Sequence, residues 1–309
     1  MINGVINVYK EAGYTSHDVV AKLRGILHQK KIGHTGTLDP DARGVLPVCL
    51  GKATKLCDVI GNWDKSYHAT LLLGRETDTE DTSGQLLKES PVNLSEEEIR
   101  QIILSFVGIY DQIPPMYSAK KVQGRKLYEL AREGKVIERK PCRVEIHQIE
   151  ILRVELPCVE FAVQCSKGTY IRSLCRDIGQ KAGCGGCMSA LIRSRVSDFT
   201  LEDALTLTEI EERRDDGSLE DHIRRIDSVF PFYPTVEAGE EIGRLLMNGN
   251  AFPLRYAKLS EEEGTGDIPQ GLPFRYRVYD AEHHFIGLYS KAVESGEIFL
   301  KPEKLFFDI

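Results

Sequence analysis

The order of the predicted strands and helices constrains the fold of this 309-residue chain more than any other feature. Weak alternation over Val5–Tyr9 predicts a strand, and apolar residues at helical spacing from Val19 to Leu27 predict a helix that Ser16 caps. The predicted elements that follow this strand and helix do not alternate regularly between strand and helix. A doubly wound parallel sheet requires that alternation, so we predict an α+β fold.

The middle of the chain contains clearer signals for individual elements. Ser95 and Glu98 have the spacing of a capping box at the start of a helix. The remaining predictions are a strand at Tyr67–Leu73, paired strands at Cys142–Glu155 and Val159–Cys165, a helix at Tyr170–Ala182 and a short helix at Lys126–Glu133.

The composition changes after the aromatic segment at 230–234, whose sequence is FPFYP. A short helix near Glu240–Met247 is predicted next, followed by strands separated by turns rich in glycine, proline and aspartate. We therefore predict two domains, a large one at 1–233 and a small β-rich one at 234–309. Within the first, residues 112–143 read as an excursion from the core that Pro114 and Pro115 open.

Charge is distributed unevenly along the chain. The net charge of −7 alone argues against a nucleic-acid partner, but residues 1–200 contain 28 basic and 24 acidic residues, whereas 201–309 contain 12 and 23. Ser118–Arg143 alone contains nine basic and three acidic residues. Because salt screens charges beyond about 8–10 Å, an acidic region does not cancel a distant basic stripe. From charge alone, this stripe is either a solvated face or a nucleic-acid contact.

The cysteines, and the absence of membrane-spanning and secretory segments, suggest where the protein is located in the cell. The sequence contains no apolar run of about 18 residues and no secretory signal at its start. Its eight cysteines include several within apolar runs, where cysteine behaves as a small hydrophobic residue. We expect a cytoplasmic protein with reduced thiols and no membrane association.

The segment GHTGTLDP at 33–40 contains residues that several kinds of site would use. A phosphate loop that ends in Gly51-Lys52 would have to begin with a glycine, but the residue at that position is Leu46, so a phosphate loop is excluded. The sequence also contains no dinucleotide-binding fingerprint. The DTSG segment at 81–84 lacks the second copy that an aspartic protease needs and reads as a turn. Cys184 and Cys187 have the spacing of half a zinc site without a matching second pair, so a glycine-rich turn is favoured and no metal is predicted.

Asp39 within GHTGTLDP has two interpretations. Aspartate before proline is a common turn former. Pro40 also restricts the backbone of Asp39, so the carboxylate is held on a stiff segment. With an ordinary pKa of about 3.9, the group is ionised at neutral pH and suited to act as nucleophile or base.

Six motifs follow one another over nearly all of residues 1–200. They are VYKEAGYTSHDVV (8–20), GHTGTLDPDARGVLPVCLGKATK (33–55), DKSYHATLLLGRETDTEDTSG (64–84), QIPPMYSAKKVQGRKLYELAREG (112–134), CSKGTYIRSLCRDIG (165–179) and SALIRSR (189–195). In order and spacing these motifs resemble those of the TruB family of tRNA pseudouridine-55 synthases. Two departures are Glu11, where the family usually has proline, and the ending of the central motif at Asp41–Gly44. Neither affects Asp39.

The resemblance implies a fold and a reaction. The fold is the pseudouridine synthase fold, with a mixed, largely antiparallel central sheet flanked by helices and a PUA-like C-terminal domain. The reaction detaches uracil at N1, turns it and rejoins it to C1′ through C5, without cofactor or metal. Asp39 matches the essential aspartate by position, Tyr67 the active-site tyrosine and Arg172 the arginine that pairs with the aspartate and would lower its pKa further.

The resemblance also implies how tRNA is held. His34 matches the residue that replaces the flipped base in the T loop, Tyr170 and Leu191 match walls of the uracil pocket, and Lys10 is structural or faces phosphate. The 112–143 arm would clamp phosphates through Lys120, Lys121, Arg125 and Lys126. We expect a monomer without an obligatory protein partner. Two alternatives are a guide-RNA-dependent, dyskerin-like synthase and a non-catalytic RNA-binding or tRNA-folding protein.

Overall fold

The computed structural model describes residues 1–260, 268, 272–294 and 296–307. Its helices are α1 (Ser16–Ile26), α2 (Cys57–Gly61), α3 (Glu96–Leu104), α4 (Leu127–Arg132), α5 (Ile171–Lys181), α6 (Leu207–Asp216) and α7 (Gly243–Met247). The first fourteen strands are β1 (Gly4–Lys10), β2 (Ile32–His34), β3 (Arg43–Leu50), β4 (Lys65–Leu73), β5 (Arg75–Thr77), β6 (Leu86–Glu89), β7 (Gly108–Gln112), β8 (Lys121–Val122), β9 (Arg125–Lys126), β10 (Cys142–Glu155), β11 (Cys158–Cys165), β12 (Gly186–Val196), β13 (Phe199–Thr200) and β14 (Ile223–Arg224).

Ten of the described strands form one central sheet. Its order is β14–β1–β3–β12–β4–β11–β10–β7, with β2 beside β3 and β13 beside β12. Every pairing is antiparallel except that of β12 with β3, where Ile192 lies opposite Arg43 and Arg193 opposite Gly44. The predicted α+β fold with a mixed, largely antiparallel sheet is confirmed.

Close packing of β12 against β3 depends on Gly44. Its φ of +105° favours glycine, and a side chain there would place a Cβ 2.2 Å from the Arg193 carbonyl oxygen. The glycine lets the strand that follows the Asp39 loop approach β12 directly.

Helices pack against the sheet at two places. Apolar residues of α3 and α5, such as Ile103 and Leu174, pack in one core with β4, β10 and β11. Apolar residues of α1 and α6, such as Leu23 and Ile210, pack in another with β1 and β3. The loop between β2 and β3 is thereby carried by a sheet that helices support in both of these cores.

The predicted helix starts are partly right. The capping box of Ser95 and Glu98 is present at α3. The prediction that Ser16 caps α1 is wrong, because Thr15 is the N-cap and forms a capping box with Asp18. The Ser16 hydroxyl instead accepts a hydrogen bond from the Leu38 backbone N–H at 2.9 Å. Ser16 therefore fixes the Asp39 loop to α1.

The excursion at 112–143 contains a small hairpin of β8 and β9 followed by α4. Met116, Leu127 and Leu130 form its own apolar cluster. Arg139 donates a hydrogen bond to the Pro114 carbonyl at 2.9 Å, which closes the base of the excursion. We call residues 112–143 the arm.

The C-terminal part folds into a second, smaller sheet. Its strands lie in the order β16–β20–β19–β18–β15–β17, and they are β15 (Thr235–Ala238), β16 (Phe252–Pro253), β17 (Ala257–Leu259), β18 (Tyr276–Tyr279), β19 (Phe285–Glu294) and β20 (Glu297–Leu305). Leu288 and Phe306 from this part share a core with Trp63 and Phe230 of the main body. The β-rich C-terminal part is therefore packed against the main body.

Candidate active site

The loop that carries Asp39 is fixed at several points between β2 and β3. The Thr35 hydroxyl donates to the Pro47 carbonyl at 3.1 Å, and the Lys10 ammonium donates to the Pro40 carbonyl at 2.9 Å. The Gly13 backbone N–H donates to the same Pro40 carbonyl at 3.0 Å. The backbone on both sides of Asp39 is thus held, which sets the direction of its carboxylate.

Arg172 forms a bidentate ion pair with Asp39. The Arg172 Nε and Nη2 atoms lie 2.9 and 3.1 Å from the two carboxylate oxygens. The Arg172 side chain is 6% exposed, whereas that of Asp39 is 37% exposed. Two parallel bonds fix the orientation of a carboxylate more firmly than one. The buried arginine therefore orients the carboxylate of Asp39, which stays partly open to solvent.

Three further groups hold Arg172. Its Nη1 donates to the Thr79 carbonyl at 3.0 Å and lies 3.6 Å from a carboxylate oxygen of Asp81. Its Nη2 donates to the Tyr117 carbonyl of the arm at 2.8 Å. The DTSG segment does form a turn, as predicted. The sequence interpretation missed that this turn supplies a second carboxylate to Arg172, although the segment lies within one of the family motifs.

The pKa of Asp39 differs in direction from the expectation. Burial raises it, Asp81 adds to the rise, and Arg172 opposes it. The expectation of a net lowering is therefore wrong, although the contribution of Arg172 has the expected sign. Sequence shows the pairing partner, but it does not show how much solvent the folded chain removes from the carboxylate.

Tyr67, Tyr170 and Leu191 lie on elements around Asp39. Tyr67 is on β4, where burial raises its pKa to about 12 and Asp39 adds to the rise. Leu191 is on β12 and half-buried against the core that contains Tyr67. Tyr170 precedes α5, and its backbone is held on both sides by Gln112 at 2.8 and 3.1 Å. The first residues of the arm are thereby linked to the helix that carries Arg172.

His34 lies at the end of β2, half-buried beside the exposed His17. Their ring centroids are 5.8 Å apart in an edge-to-face arrangement. Burial lowers the pKa of His34, and the nearby charges of His17 and Arg193 act in the same direction. His34 Nδ1 is buried, and no group of the described residues hydrogen-bonds to it. A largely neutral imidazole at this position is suited to stacking.

Lys10 is structural in this fold. It is completely buried, and its ammonium donates to the carbonyls of Glu11 and Pro40 at 3.0 and 2.9 Å. Burial lowers its pKa to about 8. Of the two roles stated from sequence, a contact with phosphate does not fit this position, because the ammonium does not reach the surface.

The predicted basic residues of the arm lie on and beside the β8–β9 hairpin. Lys121 and Arg125 are exposed, and Arg125 pairs with Glu133. Lys120 and Lys126 are partly exposed, and Lys126 donates to the Tyr128 hydroxyl at 3.1 Å. The hairpin therefore presents several cations on a segment whose base contacts Arg172 through Tyr117.

Three further observations concern the rest of the chain. Across residues 1–260 and the described parts beyond them, no three His, Cys, Asp or Glu side chains are grouped as a metal site requires. Cys184 and Cys187 are buried free thiols, with Cys184 in the turn between α5 and β12 and Cys187 on β12. None of the helices in the described parts is long and apolar enough to cross a membrane.

Most of the sheet, the Asp39 loop and the arginine behind it lie within the residues that two pseudouridine synthase family models match. The family model for the TruB family pseudouridylate synthase N-terminal domain matches residues 24–171, and that for the tRNA pseudouridylate synthase B C-terminal domain matches 172–230. The chain belongs to the TruB family.

Curated relatives and solved structures agree with this assignment. The chain is 53% identical to the tRNA pseudouridine synthase B of Lachnoclostridium phytofermentans, over 99% of this chain and all of the relative. It is 42% identical to that of Clostridium acetobutylicum, over 96% and 98% of the two chains. A chain of a Cbf5-Nop10-Gar1 complex matches at TM-score 0.73 and 27% identity, over 98% of this chain and 85% of that one. A chain of an H/ACA RNP bound to a substrate RNA matches at TM-score 0.72 and 26% identity, over 99% and 85%.

Proposed function

We propose that this protein isomerises uridine 55 in the T loop of tRNA to pseudouridine. The observation that carries the proposal is the bidentate pair of Asp39 and Arg172 at a partly open surface beside Tyr67. Relatives at 42–53% identity are named for the same reaction on tRNA. No cofactor or metal takes part in the proposed reaction.

The target base must leave the stack of the T loop before Asp39 can reach it. Flipping costs a few kcal/mol, and stacking on an aromatic ring is worth about 1–3 kcal/mol per base. In this proposal Tyr67 stacks on the flipped uracil, Tyr170 and Leu191 enclose it, and His34 fills the space that it leaves. The arm then holds the RNA backbone through its exposed cations.

We further propose that the enzyme works in the cytoplasm as a monomer, without guide RNA or protein partners. The chains from the H/ACA RNP and the Cbf5-Nop10-Gar1 complex share the fold at 26–27% identity, well below the 42–53% of the relatives named for tRNA. The C-terminal part, which resembles a PUA domain, would contact the acceptor-stem side of tRNA. Formation of pseudouridine on a naked T-arm transcript by the purified protein distinguishes this proposal from a guide-dependent enzyme.

Asp39→Asn tests the proposal directly. It keeps the size of the side chain but removes the ionised oxygen, so we expect no pseudouridine in the transcript while the RNA still binds. Asp41→Asn is a matched control two positions away, on an exposed side chain, and we expect it to remain active. Pseudouridine is mapped by nucleotide position and binding is measured separately. Turnover by Asp39→Asn near the wild-type rate would disprove the role of Asp39.

A further inference from the structure

Arg176 is an ion-paired arginine of α5 that the proposed function has not yet used. Its Nη1 donates to a carboxylate oxygen of Glu80, and its Nε and Nη2 donate to one carboxylate oxygen of Asp177 at 2.9 and 2.8 Å. The Nη2 atom also donates to the Ile113 carbonyl of the arm at 3.1 Å. The two carboxylates hold the guanidinium on both sides, so its contact with the arm has a fixed direction although Ile113 itself is exposed.

Arg176 and Arg172 contact the arm in the same way. They are four residues apart on α5, so their side chains lie on one face of the helix, one turn after the other. Arg172 holds the carbonyl of Tyr117 at 2.8 Å, and Arg176 holds that of Ile113 at 3.1 Å. The two carbonyls are also four residues apart, so α5 holds the base of the arm at two successive points.

The segment between these two points is stiff. Pro114 and Pro115 are buried, and each proline fixes its own φ and restricts the residue before it. Gln112 fixes the point at which the arm begins, through two bonds to the backbone of the residue before α5. The contact at Ile113 adds the direction in which the chain continues. A shift at Ile113 is therefore passed on to Tyr117 instead of being absorbed between them.

The position of the Tyr117 carbonyl matters to Asp39 because one nitrogen binds both. The Nη2 atom of Arg172 has two N–H groups, and it donates to Asp39 at 3.1 Å and to the Tyr117 carbonyl at 2.8 Å. A displaced carbonyl would turn the guanidinium and weaken one of the two bonds that orient the carboxylate. The base of the arm therefore helps to set the direction of the Asp39 carboxylate.

The turn that supplies Glu80 is strained. Glu80 has a φ of +65°, in the left-handed region that favours glycine. Its second carboxylate oxygen accepts a hydrogen bond from the Ser173 hydroxyl at 2.7 Å, and the next residue, Asp81, lies 3.6 Å from Arg172. Strained residues of this kind are concentrated at functional sites. A glycine would relieve the strain, but it could not supply the carboxylate that holds Arg176.

We propose that Arg176 is a positioning residue that acts on Asp39 through the arm. It holds the Ile113 carbonyl, keeps the Tyr117 carbonyl against Arg172 and so keeps the carboxylate of Asp39 oriented while the arm holds RNA. Arg176 neither contacts the substrate nor transfers a proton in this role. The inference rests on the proposed function and gives the base of the arm a part in the chemical step as well as in binding.

The test is a double-mutant cycle on the single-turnover rate with a T-arm transcript, with RNA affinity measured separately. Arg176→Met removes the contact with Ile113, and Pro114→Ala/Pro115→Ala loosens the link to Tyr117 but keeps every backbone carbonyl. We expect Arg176→Met to slow the reaction by roughly 10- to 100-fold, because a small misplacement far from the chemistry can cost about 100-fold, with a much smaller loss of affinity. Since both changes act on one link, the combined variant should be no slower than the slower of the two. Effects that multiply would overturn the proposal.

The acid limb of the pH–rate profile is a second readout, which a purely stabilising residue would not move. The charged groups that act on Asp39 are Arg172 on α5, Asp81 in the turn and Lys10 on β1. A poorly aligned Arg172 favours the ionised carboxylate less, so the acid limb of Arg176→Met should move to higher pH. The proline variant removes no charge and should move it in the same direction. An acid limb that stays in place in both variants would overturn the proposal.

Lys181→Met is the matched control, because Lys181 is an exposed cation of the same helix that donates to the Ser105 hydroxyl at 2.6 Å and not to the arm. We expect it to keep the wild-type rate and acid limb. Arg176→Met leaves Glu80 without its cation. If that variant does not fold, Glu80→Gln/Arg176→Met is compared with Glu80→Gln, and the same slowing is expected between these two.

The controls also separate this inference from the proposed function. Pseudouridine formation by the wild type and by Lys181→Met would support the proposed function even if the Arg176 cycle contradicts the inference. A wild-type protein that makes no pseudouridine would refute the proposed function itself.

Discussion

Among single residues, Asp39 has surroundings that affect both stability and rate. Burial and the neighbouring charge of Asp81 raise the pKa of Asp39, while Arg172 counteracts them. The folded protein therefore holds the proton more tightly than the unfolded chain does. Stability from this group is present below its unfolded pKa and is lost as pH rises through the folded value. At neutral pH, the ionised carboxylate of Asp39 therefore lowers the stability of the folded protein.

This cost predicts a pH dependence for the reaction. Because the reaction needs ionised Asp39, the acid limb of the single-turnover rate should lie above the ordinary range of an aspartate. Asp81→Asn removes a repelling charge, so its acid limb should shift to lower pH, while its maximal rate falls because Arg172 loses a partner. The measurement is the rate on a T-arm transcript from acid to neutral pH. Asp41→Asn serves as control, and an acid limb unmoved in Asp81→Asn would contradict this assignment.

How much of the site is predictable differs from residue to residue. Asp39, Tyr67 and Arg172 can be identified because they stand in recognisable motifs, and the structure brings the carboxylate and the arginine together. Arg193 also stands in a motif, but its spacing gives no sign that β12 would pair with both β3 and β4. The buried position of Arg193 depends on strand order, which neighbouring residues in sequence do not encode.

Among the elements, the arm combines positive charge with an attachment to the active site. Its hairpin presents cations, and its base reaches the active site through the Tyr117 carbonyl and Gln112. The composition predicts an excursion at these residues, and the predicted short helix lies within one residue of α4 at either end. The contact with Arg172 is not predictable, because it uses a backbone carbonyl that any residue could provide.

Charge removal on the arm should weaken RNA binding in a salt-dependent way. The variant that replaces Lys120, Lys121, Arg125 and Lys126 by glutamine removes four cations that would release counterions from RNA. We expect lower affinity and a flatter plot of log affinity against log salt. For single-stranded RNA the slope should change by up to about 0.7 for each phosphate that is no longer neutralised. The measurement is a salt titration of binding to a T-arm transcript.

A control with equal charge loss separates local contacts from net charge. It replaces Arg75, Lys88, Arg100 and Arg153, which lie on β5, β6, α3 and β10. This control should keep the wild-type slope. A slope that does not change in the arm variant would show that the basic stripe is a solvated face and does not contact RNA.

For the whole molecule, the two sheets share an apolar core. Phe306 is 3% exposed and packs with Leu288 from the C-terminal part against Trp63 and Phe230 of the main body. Polar contacts accompany this core, including the ion pair of Lys304 with Asp58 at 2.7 Å. The composition change at 230–234 lies just before the first strand of the second sheet, and its aromatic residues form the docking core rather than a free linker.

The shared core predicts that apolar contacts, rather than ion pairs, hold the two parts together. Phe306→Ala should lower the free energy of unfolding by about 3–5 kcal/mol, as expected for a buried phenylalanine. Lys304→Ala should lower it by only about 0–1 kcal/mol, because Asp58 is largely exposed and water screens the pair. Denaturant unfolding of both variants measures the difference. Affinity for full-length tRNA should fall in Phe306→Ala while affinity for the isolated T arm is kept, since only the former needs the C-terminal part in a fixed place. Comparable losses of stability in the two variants would show that the ion pair contributes as much as the core.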